Sequence, residues 1–433
     1  MAQLGGLGWG MAGARVAWRL LALVVLAALM AAPALAQDAA VTSAWQDPGL
    51  TLLDPLGSET RFYKQSALGE VTPDAQAPAG HEGSLRLAIA GADGQLNLRA
   101  DLSEPLDLSN QNLVIWLRVE DPADLAYVAL YIGHDELESH ASYIVSVGDD
   151  DPSMILGRAG EWHAVSVNLA DPYRTAGNPD LSRIDKVQIS LAASGDEEAV
   201  VYVHGVASFP RPPRGAVTLM FDDARDGVAL AVPVLQRLGL RASIAVIPGF
   251  LDLPEFMSAA ELAALESYLH WDLLSHHTLE VPLERSFDTY EPADLAAEFE
   301  ALTEAMRDLS PSPGWRHLVY PNGRIDQEAI ETVRRYFTSG RTTVNQLGLE
   351  TWPPGDQYRL RAMSVLATDT PEALIDLIER AAASGGWLIL TFHQITDHAI
   401  EYPTEYRLAD FTRVVEHLAG ADVDVLPLSD RWP

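Results

Sequence analysis

The run Phe209-Pro210-Arg211-Pro212-Pro213-Arg214-Gly215 divides this chain into two stretches that obey different periodicities. Proline has no N–H for a ladder and cannot continue a helix, so three prolines in four residues read as a stiff extended linker over 210–215 and as a domain boundary. On either side the hydrophobic pattern changes its period, and that change sets what each part can fold into.

Before the linker, short apolar runs alternate with turn residues, the pattern of strands buried on one face. Strands are expected over 84–89, 95–102, 113–119, 127–132, 143–147, 162–168, 186–192 and 200–209, with helical periodicity nearly absent. An all-β sandwich (jelly roll) over residues 41–209 follows. The turns Gly91-Ala92-Asp93-Gly94 and Gly148-Asp149-Asp150-Asp151-Pro152 tolerate tight backbone angles. The three aspartates of the second also make a candidate calcium site. The run Gly160-Glu161-Trp162-His163-Ala164-Val165-Ser166-Val167, with Asp180-Leu181-Ser182-Arg183-Ile184-Asp185-Lys186-Val187, resembles the last strands of galactose-binding-like jelly rolls in carbohydrate-binding modules. Trp45, Trp116 and Tyr173 are then candidates for stacking on sugar rings.

After the linker, over 216–433, strands alternate with helices, which argues for parallel βα units and a barrel. Strands are expected at 216–221, 242–247, 317–320 and 387–392. Helices are expected at 229–237, 259–268, 294–308, 327–336, 374–383 and 408–419. In 294–308 the apolar residues Leu295, Phe299, Leu302 and Met306 recur at a spacing of three to four, which sets them on one helix face.

The first residues read as an export signal: Arg15 and Arg19 precede an apolar run from Leu20 to Ala32, then Ala34-Leu35-Ala36 forms a small-residue cleavage site. The run is shorter than the roughly 20 residues a spanning helix needs, so residues 1–36 are expected to be removed. The mature chain is then secreted or periplasmic, with no stable membrane insertion. There are no cysteines, which excludes disulfides and thiolate chemistry. Asp and Glu outnumber Lys and Arg 61 to 29, a net charge of −32. Phosphate binding needs clustered cations, so nucleic acid is excluded as a partner.

Functional groups of α/β barrels sit at the C-terminal ends of strands, where the βα loops converge. Four such ends are polar: Met220-Phe221-Asp222-Asp223, Trp271-Asp272-Leu273-Leu274-Ser275-His276-His277-Thr278-Leu279-Glu280, Tyr320-Pro321-Asn322-Gly323 and Leu390-Thr391-Phe392-His393. Adjacent carboxylates repel unless a cation or proton intervenes, so Asp222-Asp223 suggests one metal ligand and one base.

In order and spacing these four motifs resemble the polysaccharide deacetylases, carbohydrate esterase family four (the NodB-homology domain), over about residues 214–430. The resemblance implies a distorted (β/α)7 barrel and hydrolysis of a carbon–nitrogen bond other than a peptide bond. It assigns Asp222 as general base, Asp223 as a metal ligand and His393 as general acid. A histidine suits that last role because its ordinary pKa of about 6.5 lets it exchange a proton near neutrality. The Asn322 backbone N–H would serve the oxyanion and Leu390 would face the acetyl methyl group.

The family's Ser-His-Thr-x-x-His motif fits in two registers. One puts His276 on the first ligand and Glu280 on the second; the other starts at His277 and puts Val281 there, which cannot bind metal. The first keeps Trp271, Ser275 and His276 in step and is preferred. Asp223, His276 and Glu280 would then hold one divalent ion, zinc first, with iron, manganese, cobalt or nickel as alternatives. Val319 stands where the family often has arginine, and Arg341 is the candidate to supply that charge. The expected substrate is an acetylated polysaccharide or oligosaccharide. The rival readings are a glycan-binding protein whose deacetylase fold has lost its chemistry and a metal-dependent amidase acting on a non-sugar amide.

Overall fold

The alternating runs of the first part form two six-stranded antiparallel sheets. The computed structural model describes Trp45 and residues 49–91, 94–148, 156–278, 285–343 and 349–432. The export segment expected over 1–36 and the turn Asp149-Asp150-Asp151 lie outside the described residues. One sheet runs Glu70–Asp74, Ser84–Ala90, Glu198–Pro210, Gln111–Val119, Trp162–Val167, with Thr51–Asp54 also on Glu198–Pro210. The other runs Arg174–Ala176, Ser139–Val147, Leu125–His134, Ile184–Ala193, Leu96–Leu106, Tyr63–Lys64.

Because strand side chains alternate, one face of each sheet is apolar, and the two faces share one core. Leu87, Leu117 and Val203 from the first sheet meet Leu98, Ile132 and Leu191 from the second, all buried. Each such side chain contributes about 1.5–3 kcal/mol. The short strands Thr51–Asp54, Tyr63–Lys64, Glu70–Asp74 and Arg174–Ala176 carry no apolar alternation to announce them. Of the expected sugar-stacking residues, Tyr173 is exposed, but Trp45 and Trp116 stack on each other at 6.3 Å over Val114 and Phe209 and are half-buried.

The linker is shorter than expected and is pinned at both sides. Pro210 is the last residue of a strand, paired with Gln111, and the next strand opens at Gly215. Between them Arg211 donates to the carbonyls of Ser109 and Ser384, at 3.0 and 2.9 Å.

The second part is a parallel sheet. Its order is Ser339–Arg341, His317–Val319, Asp272–Ser275, Ser243–Val246, Gly215–Phe221, Trp387–Phe392, Met363–Ser364, and Val423–Val425 also pairs with Gly215–Phe221. Residues just before Met363 reach the opposite edge, where Leu360 bridges Arg341 in parallel. The segment 360–364 therefore touches both edges of the sheet.

Helices Val228–Leu238, Ala259–Leu269, Pro292–Leu309, Pro371–Ser384 and Leu408–Leu418 pack on its outer face, where Leu219, Phe221, Leu388, Leu390 and Phe392 meet the helix residues Leu235, Leu262, Phe299, Ile378 and Phe411. Ala259–Leu269 is bounded by a capping box between Ser258 and Glu261 and by His270 in the left-handed region. The opposite parity of the same strands points inward: Ala216, Met220, Leu274, Val319, Trp387 and Ile389 make a separate inner core. Among the described residues no helix is long and apolar enough to cross a membrane.

Candidate functional site

The period of two in each strand decides which motif residues reach the interior. In Gly215–Phe221 the inward series Ala216, Thr218, Met220 continues to Asp222, and Thr218 Oγ1 accepts from the inward Trp387 Nε1 at 3.0 Å. In Trp387–Phe392 the inward series Trp387, Ile389, Thr391 continues to His393. Leu390 has the other parity and packs in the helix-facing layer, which corrects its expected position beside an acetyl group.

Parity alone would turn Asp223 away from Asp222. It is brought back because the chain leaves the strand in the left-handed region, with φ of 67° at Asp223 and 52° at Ala224. That conformation costs an L-residue roughly 1–2 kcal/mol and collects at functional turns.

Asp222 and Arg341 form a buried ion pair. Arg341 Nη2 donates to both carboxylate oxygens, at 2.7 and 2.6 Å. Arg341 lies level with Val319 on the neighbouring strand, so it brings the guanidinium from one strand over. Gly340 is required beside it: a Cβ there would stand 1.7 Å from the Tyr320 hydroxyl, which donates to the Tyr358 carbonyl. The pair makes a strong demand on stability. Arg341→Met leaves Asp222 as a buried uncompensated charge and is expected to destabilise the fold by about 3–5 kcal/mol, much of it recovered in Arg341→Met/Asp222→Asn. Denaturant unfolding of the three proteins checks this; equal loss in the single and double variants would contradict it.

His276 follows the strand Asp272–Ser275. Its Nδ1 lies 2.9 Å from the Val319 carbonyl, which can only accept, so Nδ1 carries the proton and Nε2 is left for other work. Nε2 faces Asp223 Oδ1 at 3.5 Å. That gap is long for a charge-assisted hydrogen bond, which spans about 2.7–2.9 Å. It matches the edge of a tetrahedron whose ligands sit about 2.1 Å from a shared ion, which is about 3.4 Å. Asp223 and His276 thus fit as two donors to one cation. Burial works against ionisation of Asp223, but His276, His393 and Arg225 outweigh it and hold the carboxyl well below the usual carboxylate range.

His277 is not brought to Asp223. Its Nδ1 donates to the Thr278 carbonyl at 2.7 Å, and its ring packs edge-on against His276. Burial, with His276 beside it, pushes His277 down to about 4. Glu280 lies outside the described residues, and among the described residues no group of three or more such ligands converges.

His393 Nε2 is 4.0 Å from Asp222 Oδ2, too far for a direct hydrogen bond. Asn322 is also left-handed, at φ 56°, in the turn Pro321–Gly323, and its side-chain amide donates to Ser286 Oγ at 3.1 Å. Asp223 and His393 open onto a cleft of about 680 Å³ whose walls include Arg225, Glu255, His398 and Tyr402.

Several supporting residues carried little sequence signal. Arg225 lies 3.5 Å from Asp223 and over the Phe256 ring. Glu298 holds the turn after His277, accepting from the Thr278 N–H and hydroxyl at 2.7 Å each. A glutamate on the apolar face of Pro292–Leu309 was the one clue to it. Asp272, beside Trp271 in the motif, sits away from the site and accepts from the Ser429 N–H and hydroxyl at 2.8 Å each.

No protein-family model and no curated protein matches the chain. Among solved structures it is similar to the Xyl-CE4 domain of a multidomain xylanase from the hindgut metagenome of Trinervitermes trinervoides, at 11% identity over 50% of this chain and 89% of that chain, with a TM-score of 0.36. It is similar to a family 4 acetyl xylan esterase from Clostridium thermocellum in complex with cobalt, at 14% identity over 50% and 89%, TM-score 0.35. A family 11 carbohydrate-binding module from Clostridium thermocellum, in complex with a mixed-linked tetrasaccharide, is matched at 11% identity over 37% and 96%, TM-score 0.29.

Proposed function

We propose that this chain is a metal-dependent hydrolase that removes acetyl groups from an extracellular or cell-envelope polysaccharide, on a distorted (β/α)7 barrel carrying an N-terminal jelly roll. The observation that carries this reading is the convergence of Asp223 Oδ1 and His276 Nε2 at 3.5 Å, beside the Arg341-paired Asp222, whose Oδ2 lies 4.0 Å from His393 Nε2. Asp223 and His276 would hold the divalent ion, with Glu280 as the third donor; when bound, it supplies Lewis acidity to an acetyl carbonyl.

The remaining chemistry belongs to the chain's own groups. Asp222 takes the proton of the attacking water, its oxygens oriented by Arg341. The Asn322 N–H, set by the left-handed turn, donates to the oxygen on which negative charge develops. His393 gives a proton from Nε2 to the departing amine, or to the alkoxide if the acetyl group is an ester. A cleft of about 680 Å³ has room for more than one sugar ring beyond the reacting group. The apolar run and small-residue site of residues 1–36 support a secreted or periplasmic location, where such polymers lie.

Acetate release from a panel of N- and O-acetylated oligosaccharides tests the reading. Activity is expected on at least one member, abolished by chelator and restored by zinc or another divalent transition metal. A metal-loaded protein that releases no acetate while binding the glycans sinks it in favour of a binding protein; release only from non-sugar amides points to the amidase.

A further inference from the structure

We propose that the β-sandwich is a positioning element of the active centre, in which Ser166 holds the strand segment that fixes Arg341 and, through it, Asp222. The inference rests on the reading of Asp222 as the base. It begins from how little secures Arg341 locally.

Its strand, Ser339–Arg341, has three residues. On one side it pairs with His317–Val319. On the other it depends on Leu360, whose N–H donates to the Gly340 carbonyl and whose carbonyl accepts from the Thr342 N–H, both at 2.9 Å. Leu360 thus decides where the Arg341 end of the strand lies.

Leu360 is flanked by two buried arginines, and both reach into the sandwich. Arg359 donates to Glu161 Oε2 at 2.7 Å and to His163 Nδ1 at 3.3 Å. His163 accepts there as a neutral ring, since burial and then the Arg359 charge hold it well below the ordinary histidine range. Arg361 donates to the Ser166 hydroxyl at 3.2 Å and to the Ser166 carbonyl at 3.3 Å, while gripping Glu350 at 2.6 and 3.1 Å.

The Ser166 hydroxyl is the junction. It donates to Glu350 Oε1 and accepts from the Gly355 N–H, both at 3.2 Å. Gly355 lies so close that a Cβ would stand 2.5 Å from the Ala164 carbonyl. Glu350 exchanges backbone hydrogen bonds with Trp387, at 2.9 and 2.8 Å, at the start of the strand Trp387–Phe392 that leads to His393. One sandwich hydroxyl therefore touches the supports of both the Arg341 strand and the strand that leads to His393. Buried charges without partners are costly, so the sandwich cannot lift away without exposing or orphaning Arg359, Arg361 and Glu350. That is the behaviour of a built-in brace and not of a tethered binding module, which would need only a linker.

The test uses the full chain with Ser166→Ala and, as a milder second variant should that one fold poorly, Glu161→Gln. Hydrogen–deuterium exchange is read first, because it does not depend on the assigned reaction. The amides of Gly340 and Thr342, which donate to the Gln357 and Leu360 carbonyls at 2.9 Å each, are expected to exchange at least about tenfold faster, while those of Asp272–Ser275 stay unchanged. Acetate release is read second, with kcat falling several-fold and KM within about twofold. In the Asp222→Asn background Ser166→Ala is expected to cause no further loss, as for residues acting through one another. Unchanged exchange at Gly340 and Thr342, or losses that multiply in the double variant, overturn the brace. A wild type that releases no acetate overturns the hydrolase reading instead and leaves the exchange result to judge the brace alone.

Discussion

Asp222→Asn lowers acetate release by about 10²- to 10⁴-fold, with KM little changed and bound metal retained. That is the range for removing a positioned general base, and a loss in kcat at constant KM is the signature of an interaction made only in the transition state. Asparagine keeps the shape and one acceptor for Arg341 but cannot take the proton. It also leaves a buried guanidinium without its counter-charge, so folded stability falls as well. Thermal unfolding alongside the kinetics separates the two effects, since the rate must fall far beyond any loss of folded protein. A variant that keeps its rate removes Asp222 from the chemistry and leaves the Arg341 pair as a structural ion pair.

His276→Ala is expected to abolish stoichiometric metal binding. Its imidazole is oriented from behind by the Val319 carbonyl and aimed at Asp223. Losing a partner that merely orients a ligand costs about 10–100-fold in metal affinity. Removing the donor itself should exceed that, and Asp223→Asn should act likewise. Elemental analysis and titration with zinc, manganese and cobalt read the outcome directly. If His276 and Asp223 instead form a plain imidazolium–carboxylate pair, the wild type takes up no metal, and His276→Ala changes only stability.

The parts of the site legible in the sequence were those at strand ends whose neighbours follow a strict period. Asp222 and His393 continue the inward series of their strands, and the apolar residues before them announced those strands. Leu390 failed for the same reason: it is a strand residue of the opposite parity, and a motif placement cannot override the pleat. Arg341 was legible only as a charge in search of a partner, because Ser339–Arg341 has no apolar alternation. Trp45 and Trp116 were legible only as aromatics of a sandwich, which can cover a sheet face as readily as meet a ligand; the structure stacks them on each other, half-buried.

The interface between the sandwich and the parallel sheet had no sequence signal. Arg359, Arg361, Glu350 and Ser166 look like ordinary polar residues until the fold buries them together. Ser166 lies 184 residues from Glu350 and 195 from Arg361 in the chain.

By itself the sequence determined the two periodicities, the break between them, and the identity of the polar residues at four strand ends, because those are consequences of local geometry and repeat within a few residues. Only the tertiary structure decided that Asp223 turns back through a left-handed residue, that Arg341 reaches Asp222 from two strands beyond His276, and that the sandwich grips the arginines beside Leu360. Each of these is a meeting of distant segments across a buried interior, where the cost of an unpartnered charge selects the pairing and neighbouring residues carry no trace of it.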